Sequence, residues 1–250
     1  MRQALLVVSF GTTVPKAKRD IEGVEKALTA LVPGMDVFRA YTSSIIRKKL
    51  AGRGEPVFSV EDALEHLADQ GYTHVYLQPT HLLPGVEYAK IRRAVHRFPR
   101  RKEFEALVMG EPLLPDNSSL LELAGVIARC YVPEEGALVL MGHGSDSFAN
   151  LVYPALQTVL RLTGVERTYV GTVEGWPGLA DILRQLGGPR RVKLLPLMLV
   201  AGDHARNDMA GTWKQALEEA GHTVSCSFTG LGELPWVQEM YRERLLDMIG

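Results

Sequence analysis

The feature that most limits what this chain can fold into is an ordered alternation of apolar, β-branched runs with runs of helical period. ALLVVSF (4–10), DVFRAYTS (36–43) and HVYLQPTHLL (74–83) read as strands. From Asp20 the apolar positions Ile21, Val24, Leu28 and Leu31 fall on one face of a helix. SVEDALEHLADQG (59–71) is a second helix, with Ser59 and Asp62 at capping-box spacing and Gly71 as its stop. Strands that alternate with helices predict βαβ units and a parallel sheet covered on both faces.

The second half of the chain repeats that order. ALVLMGHGS corresponds to LLVVSFGT, pairing His143 with Phe10 and Gly144 with Gly11. YVGTVEG follows FRAYTSS, pairing Glu174 with Ser43, and LLPLMLVAGDH follows LQPTHLLPGVE, pairing Pro196 with Pro79, Gly202 with Gly85 and His204 with Glu87. The offsets are 133, 131 and 117 residues, so spacing drifts while order holds. The predicted fold is therefore α/β, two similar Rossmann-like halves with a cleft between them. Clusters of Pro, Gly, Asn and Ser put the boundary near EPLLPDNSS (111–119) or VPEEG (132–136). The division expected is 1–125 and 126–250, with the last helix, ELPWVQEMYRERLLDMI, free to pack back on the first half.

Parallel strands end on one sheet edge, and ligands of such sheets bind outside those carboxyl ends. In the second half the three strand ends carry His143, Glu174 and His204, each one βα unit from the next. With the first strand between the other two, the outer strands stand about 10 Å apart, so all three side chains can converge. Two imidazoles and a carboxylate suit a borderline divalent ion such as Co²⁺, Ni²⁺, Fe²⁺ or Zn²⁺. The blander reading is a turn histidine at 143, a helix-capping Glu174 and a first-turn His204. His66 and His96 read as surface residues, His222 as a turn residue before a strand, and His81 as a satisfied histidine inside the third strand.

The first half offers Phe10, Ser43 and Glu87 at the equivalent places. Glu87, in LPGVEY, is either a proton acceptor across the cleft or a cap for the helix that follows. SFGTT puts Gly11, Thr12 and Thr13 at an expected helix N-terminus, which is an anion site. In TSSIIRKKL, Arg47 is the basic residue advanced for substrate binding. Such a cleft suits a flat, polyanionic, metal-accepting ligand. The bulk numbers exclude other classes. A net charge of −1 provides no field for nucleic acid. The two cysteines, Cys130 and Cys226, have no CxxC spacing for a zinc-thiolate site. The apolar run Ala4–Val8 is too short for a signal peptide, and no window matches a membrane span. A cytoplasmic protein is expected, with no nucleic acid or membrane partner and with oligomeric state open.

Seven segments together resemble the class II tetrapyrrole chelatases of the CbiK cobaltochelatase type. They are SFGT, AYTSSIIRKKL, LPGVEY, GHGSDSFANLVYPAL, GTVEGWP, LPLMLVAGDHARNDMAG with TWK, and GLGE, which span nearly the whole chain. The resemblance implies a bilobal fold, metal ligands at His143, Glu174 and His204, and an acidic cleft residue at Glu87. It implies ATP-independent insertion of Co²⁺, as substrate metal, into sirohydrochlorin, with no permanent organic cofactor. His143 or Glu87 would accept the pyrrole protons. Ser145 stands where the family usually has Thr, and Val86 where it often has a second acid. The alternatives are iron or nickel insertion into a related tetrapyrrole, a non-catalytic tetrapyrrole or metal carrier, and a metal-dependent hydrolase.

Overall fold

The computed structural model describes residues 2–202 and 205–250, without the side chains of 205 and 206; Asp203 and His204 lie outside the described residues. The chain forms two compact units, one of residues 1–115 with 232–250 and one of residues 116–231.

In the first unit, β1 (Gln3–Ser9) is central because every residue from Ala4 to Val8 is apolar and wholly buried. It pairs in parallel with β2 (Asp36–Tyr41) and β3 (His74–Pro79), and β3 pairs with β4 (Ala106–Met109), for the order β2-β1-β3-β4. On one face lie α1 (Lys18–Leu31) and α9 (Pro235–Ile249), which bury Ile21, Val24 and Leu28 with Val237, Met240, Tyr241 and Leu245. The other face packs under α3 (Val60–Asp69) and α4 (Val86–Arg97), around Leu64, Leu67, Val75, Leu77 and Ile91. The Ser59–Asp62 capping box opens α3 with both reciprocal hydrogen bonds, as its spacing predicts.

The second unit repeats the plan. β5 (Ala137–Gly142) lies between β6 (Thr168–Thr172) and β7 (Arg191–Pro196), with β8 (Thr223–Cys226) beyond β7. α5 (Asn117–Cys130) and α6 (Val152–Leu162) pack together, and α7 (Leu179–Leu186) and α8 (Lys214–Glu219) join a core of Val139, Met141, Ile182, Met209 and Trp213. Wide-turn, π-type helix over Ala205–Trp213 leads into α8.

The repetition extends to register. Ser9 faces Tyr41 as Gly142 faces Thr172, and Val8 faces Pro79 as Met141 faces Pro196. Past the strands, Ser43 N–H donates to the Phe10 carbonyl as Glu174 N–H donates to that of His143, at 3.3 and 2.8 Å. The expected pairings of Phe10 with His143, Ser43 with Glu174 and Pro79 with Pro196 are thus equivalent positions in two like sheets.

Two local expectations change, at the end of β3 and at the start of the helix after β1, and two elements, β4 and a helix after β2, are added to those read from the sequence. β3 stops at Pro79, because a following Pro-containing loop (THLLPG) leaves the ladder, so His81 lies beyond the strand. β4 has only four residues, all at least partly accessible, and carries no buried run that would mark it in sequence. The helix after β1 starts at Lys18, not at Thr12–Thr13, because Thr12 Oγ1 takes the Val14 N–H at 3.1 Å and holds a turn ahead of Pro15. TSSIIRKKL forms a helix, α2 (Ser44–Ala51), capped by Ser43. Among the described residues no helix is long and apolar enough to cross a membrane.

Candidate functional site

The second unit builds its edge around the end of β5. Gly142 leaves room for the Tyr153 ring, which occupies the place a Cβ would take. Tyr153 is buried on α6, and its hydroxyl accepts the Gly144 N–H at 3.4 Å. Gly144 has φ +89°, left-handed space that a side chain enters only with strain, and a Cβ there would lie 2.6 Å from Gly175 N. The chain can therefore fold the His143 turn directly onto the peptide that carries Glu174.

His143 Nδ1 is 3.0 Å from the Gly144 carbonyl. A carbonyl only accepts, so Nδ1 carries the proton and the lone pair sits on Nε2, the tautomer a metal-ligating imidazole uses when its other nitrogen is held by a carbonyl. Glu174 Oε2 lies 3.8 Å from the same Nδ1. The two side chains are thus neighbours, but the metal-ready nitrogen is Nε2, across the ring from Nδ1, so Glu174 has to turn toward Nε2 for the pair to share an ion. Both side chains keep access to solvent, at 44% for His143 and 60% for Glu174. Glu174 does not cap α7; Gly178 N–H is met by Asp181 instead, at 2.9 Å. His204 lies outside the described residues, and among those described no three His, Cys, Asp or Glu side chains form a metal-holding group.

Sequence reasoning missed the residue that ties the two loops together. Asn150, 9% exposed, accepts the Ser145 N–H at 3.0 Å and donates through Nδ2 to the Trp176 carbonyl at 2.6 Å. One buried amide thereby fixes the His143 turn against the Glu174 turn. The signal available was a polar side chain in the otherwise apolar stretch FANLVY.

In the first unit the matching edge carries Phe10, 48% exposed, and Gly11, whose φ of +98° and lack of a Cβ accommodate the Tyr41 ring. Two of the hydroxyls expected to meet a ligand, those of Thr12 and Ser43, are already engaged. Thr12 Oγ1 holds the Val14 N–H, and Ser43 Oγ accepts the Ile46 N–H at 3.4 Å. The Thr13 carbonyl accepts from Arg53. Arg47, on α2, sits 3.9 Å from Asp62 and opens onto a groove of about 490 Å³ shared with Thr42, Lys90 and Arg93.

Glu87 is on the first turn of α4, after the N-cap Gly85, and its Oε1 pairs with Lys90. Burial pushes its pKa up, but the Lys90 hydrogen bond and charge, with smaller contributions from Thr42 and His81, outweigh burial and hold it below the usual carboxylate range. Thr42 Oγ1 and Glu87 Oε2 make no hydrogen bond of good geometry, so we assign the lowering chiefly to Lys90. Glu87 is thus ionised at neutral pH. His81, read from the sequence as a satisfied strand histidine, is neither in the strand nor satisfied: both ring nitrogens are shielded and unpartnered. Its pKa is pushed down to about 4, by burial first and by Lys90, against the opposing pull of Glu87. His66, His96 and His222 are structural or peripheral. His66 stacks on Phe58 at 5.2 Å, His96 is exposed, and His222 is buried ahead of β8.

Comparison with known proteins agrees with this architecture. Residues 3–250 match the model of the family described as cobalt chelatase (CbiK). A protein of Salmonella typhimurium strain LT2 named sirohydrochlorin cobaltochelatase is 38% identical over 96% of this chain and 94% of its own length. Sirohydrochlorin cobaltochelatase CbiKC of Nitratidesulfovibrio vulgaris strain Hildenborough is 33% identical over 88% of this chain and 81% of its own. Among solved structures, SirB from Bacillus subtilis with Fe³⁺ superposes with a TM-score of 0.69 at 20% identity, covering 99% of this chain and 95% of that one, a likeness of fold. The extent of these matches makes this chain a member of the CbiK cobalt chelatase family.

Proposed function

We propose that this chain inserts Co²⁺ into sirohydrochlorin without ATP, with His143, Glu174 and His204 as the metal ligands. The observation that carries the reading is that the His143 and Glu174 side chains stand side by side at the β5–β6 edge, in a chain 38% identical to a sirohydrochlorin cobaltochelatase. The reaction exchanges one dication for two pyrrole protons, so the protein must strip water from the ion and receive protons. His143 Nε2 and the Glu174 carboxylate replace water ligands one at a time. With no thiolate in the set, the ion is held loosely enough to be passed on.

The pyrrole protons need a base that is ionised at neutral pH, and Glu87 is held in that state by Lys90. Its low basicity makes it a transient acceptor that releases the proton readily. The exposed ring of Phe10 offers an apolar face to a macrocycle, Arg47 a cation to a peripheral carboxylate, and the Gly11–Thr13 backbone hydrogen-bonding groups, while Ser43 shapes the site through its cap on α2.

The test is to mix the protein with sirohydrochlorin and Co²⁺ without oxygen and follow the absorption spectrum. Insertion faster than the protein-free control supports the reading. Binding of the tetrapyrrole without faster insertion identifies a carrier and refutes it. Parallel reactions with Ni²⁺ and Fe²⁺ establish the metal, which a His/Glu/His set does not select by affinity order.

A further inference from the structure

The loop from β3 to α4 is fixed from two directions. The His81 carbonyl accepts from Leu113 N–H at 2.9 Å and, at 3.4 Å, from the hydroxyl of Tyr241 on α9, which also donates to the Thr80 carbonyl at 2.7 Å. Leu114 N–H donates to the Leu82 carbonyl at 2.9 Å. Against this rigid backbone the His81 imidazole keeps both nitrogens away from water and without a partner. Buried polar groups in native proteins are nearly always paired, so an orphaned imidazole requires a reason. Within its electrostatic reach lies the Glu87 carboxylate, whose Oε2 is also shielded and unpartnered while Oε1 is taken by Lys90. A shielded donor without an acceptor and a shielded acceptor without a donor thus lie six residues apart, on the loop and on the first turn of α4, and the Thr42 hydroxyl that also acts on Glu87 is likewise unpartnered.

The geometry points to His81 as a positioning residue for Glu87, the neutral imidazole serving Oε2 as donor when the carboxylate is ionised and as acceptor when it is protonated. This rests on the reading that Glu87 receives the pyrrole protons. A neutral imidazole carries one N–H and one lone pair, so a ring flip or tautomer change matches either form of the carboxyl group without a change of charge. Lys90 can match only the ionised form. Burial and the neighbouring ammonium keep the imidazole neutral at working pH, so His81 does not take the proton from Glu87. The charged or titratable groups acting on Glu87 are Lys90 and His81, and those acting on His81 are Glu87 and Lys90. Glu111, from the β4–α5 connection, is engaged with Tyr88 at 3.1 Å.

Three variants, His81→Leu, His81→Gln and Glu87→Gln, test this by anaerobic Co²⁺ insertion into sirohydrochlorin and by thermal unfolding. His81→Leu replaces an orphaned polar group with an apolar one, so Tm should stay level or rise. Its kcat should nevertheless fall about tenfold, with KM unchanged and the acid limb of kcat/KM moved to higher pH, because the ionised carboxylate has lost a donor. His81→Gln supplies both donor and acceptor and should stay within about threefold of wild type. A normal rate and pH profile in His81→Leu, with Glu87→Gln slow, overturns the role of His81 alone. A normal rate in Glu87→Gln overturns the reading of Glu87 beneath it. A slow, destabilised His81→Leu with no shift of the acid limb and no rescue by glutamine reduces His81 to packing. ¹⁵N imidazole NMR of the metal-free protein needs no activity: His81 should stay neutral from pH 5.5 to 8 and change tautomer balance in Glu87→Gln. An unaltered His81 signal in that variant also overturns the proposal.

Discussion

Replacing Gly144 with alanine isolates the packing of the His143 turn on the Glu174 peptide. At φ +89° the substitution places an L-residue in left-handed space, at a cost of about 1–2 kcal/mol. The new Cβ would stand 2.6 Å from Gly175 N and 2.9 Å from Glu174 C, backbone atoms that cannot rotate away. Forcing that backbone aside costs about 1–3 kcal/mol more, as overpacking does elsewhere. Gly164 is the control: its φ is +83°, but a Cβ there meets nothing within 4 Å, so Gly164→Ala carries only the backbone strain. With a urea m-value of about 2 kcal/mol/M, Gly144→Ala should unfold at a midpoint about 0.5–1.5 M below Gly164→Ala. Because the displaced peptide carries Glu174, calorimetric titration should also show Co²⁺ binding weakened about tenfold in Gly144→Ala and unchanged in Gly164→Ala. Equal midpoints and equal Co²⁺ affinities in the two variants would refute the claim that this glycine is there for the site.

Asn150→Ala leaves the Ser145 N–H and the Trp176 carbonyl without a partner and should cost about 2–3 kcal/mol, read by urea unfolding, together with a loss of Co²⁺ affinity. Lys90→Ala removes the main influence lowering the Glu87 pKa, leaving burial to raise it, so the acid limb of kcat/KM should move to higher pH. The sign for stability follows: the Lys90 contribution, about 0.5 kcal/mol for so accessible a pair, is present above the unfolded carboxylate pKa and is lost as pH falls through the lowered folded value. Tyr241→Phe deletes the 2.7 Å hydrogen bond to Thr80 and should lower stability by about 1–1.5 kcal/mol, with a lower kcat if the β3–α4 loop shifts with it. Removing residues 235–250 strips Val237, Met240, Tyr241 and Leu245 from the first unit's core, about 6–12 kcal/mol of burial and as much as a domain's entire stability, so circular dichroism should show that unit unfolded.

The sheets were legible because burial on both faces writes itself as continuous apolar runs: Ala4–Val8 and Ala137–Met141 permit little but central parallel strands. The repeat kept its order and its Gly and Pro positions while its spacing drifted, which is why Phe10, His143, Ser43 and Glu174 could be placed at strand ends from the sequence. Side-chain competition for backbone groups was not legible. Nothing in SFGTT distinguishes a threonine at a helix N-terminus from one that folds its hydroxyl onto Val14 N–H and delays the helix to Lys18. The status of His81 turned on where β3 leaves the ladder, and a Pro at the last paired position is compatible with either reading. Asn150 escaped because its two partners lie 5 residues before it and 26 after it, a bridge with no spacing rule in sequence. The orphaned state of His81 and Glu87 Oε2 belongs to packing alone.

The measurement closest to the central claim is the initial rate of Co²⁺ insertion into sirohydrochlorin by wild type and His143→Ala, followed by absorbance without oxygen. The account predicts that wild type outpaces the protein-free reaction and that His143→Ala loses at least about a hundredfold of that rate while staying folded. Wild-type insertion that is unaffected by loss of His143 would contradict the assignment of this edge as the place where the metal is held.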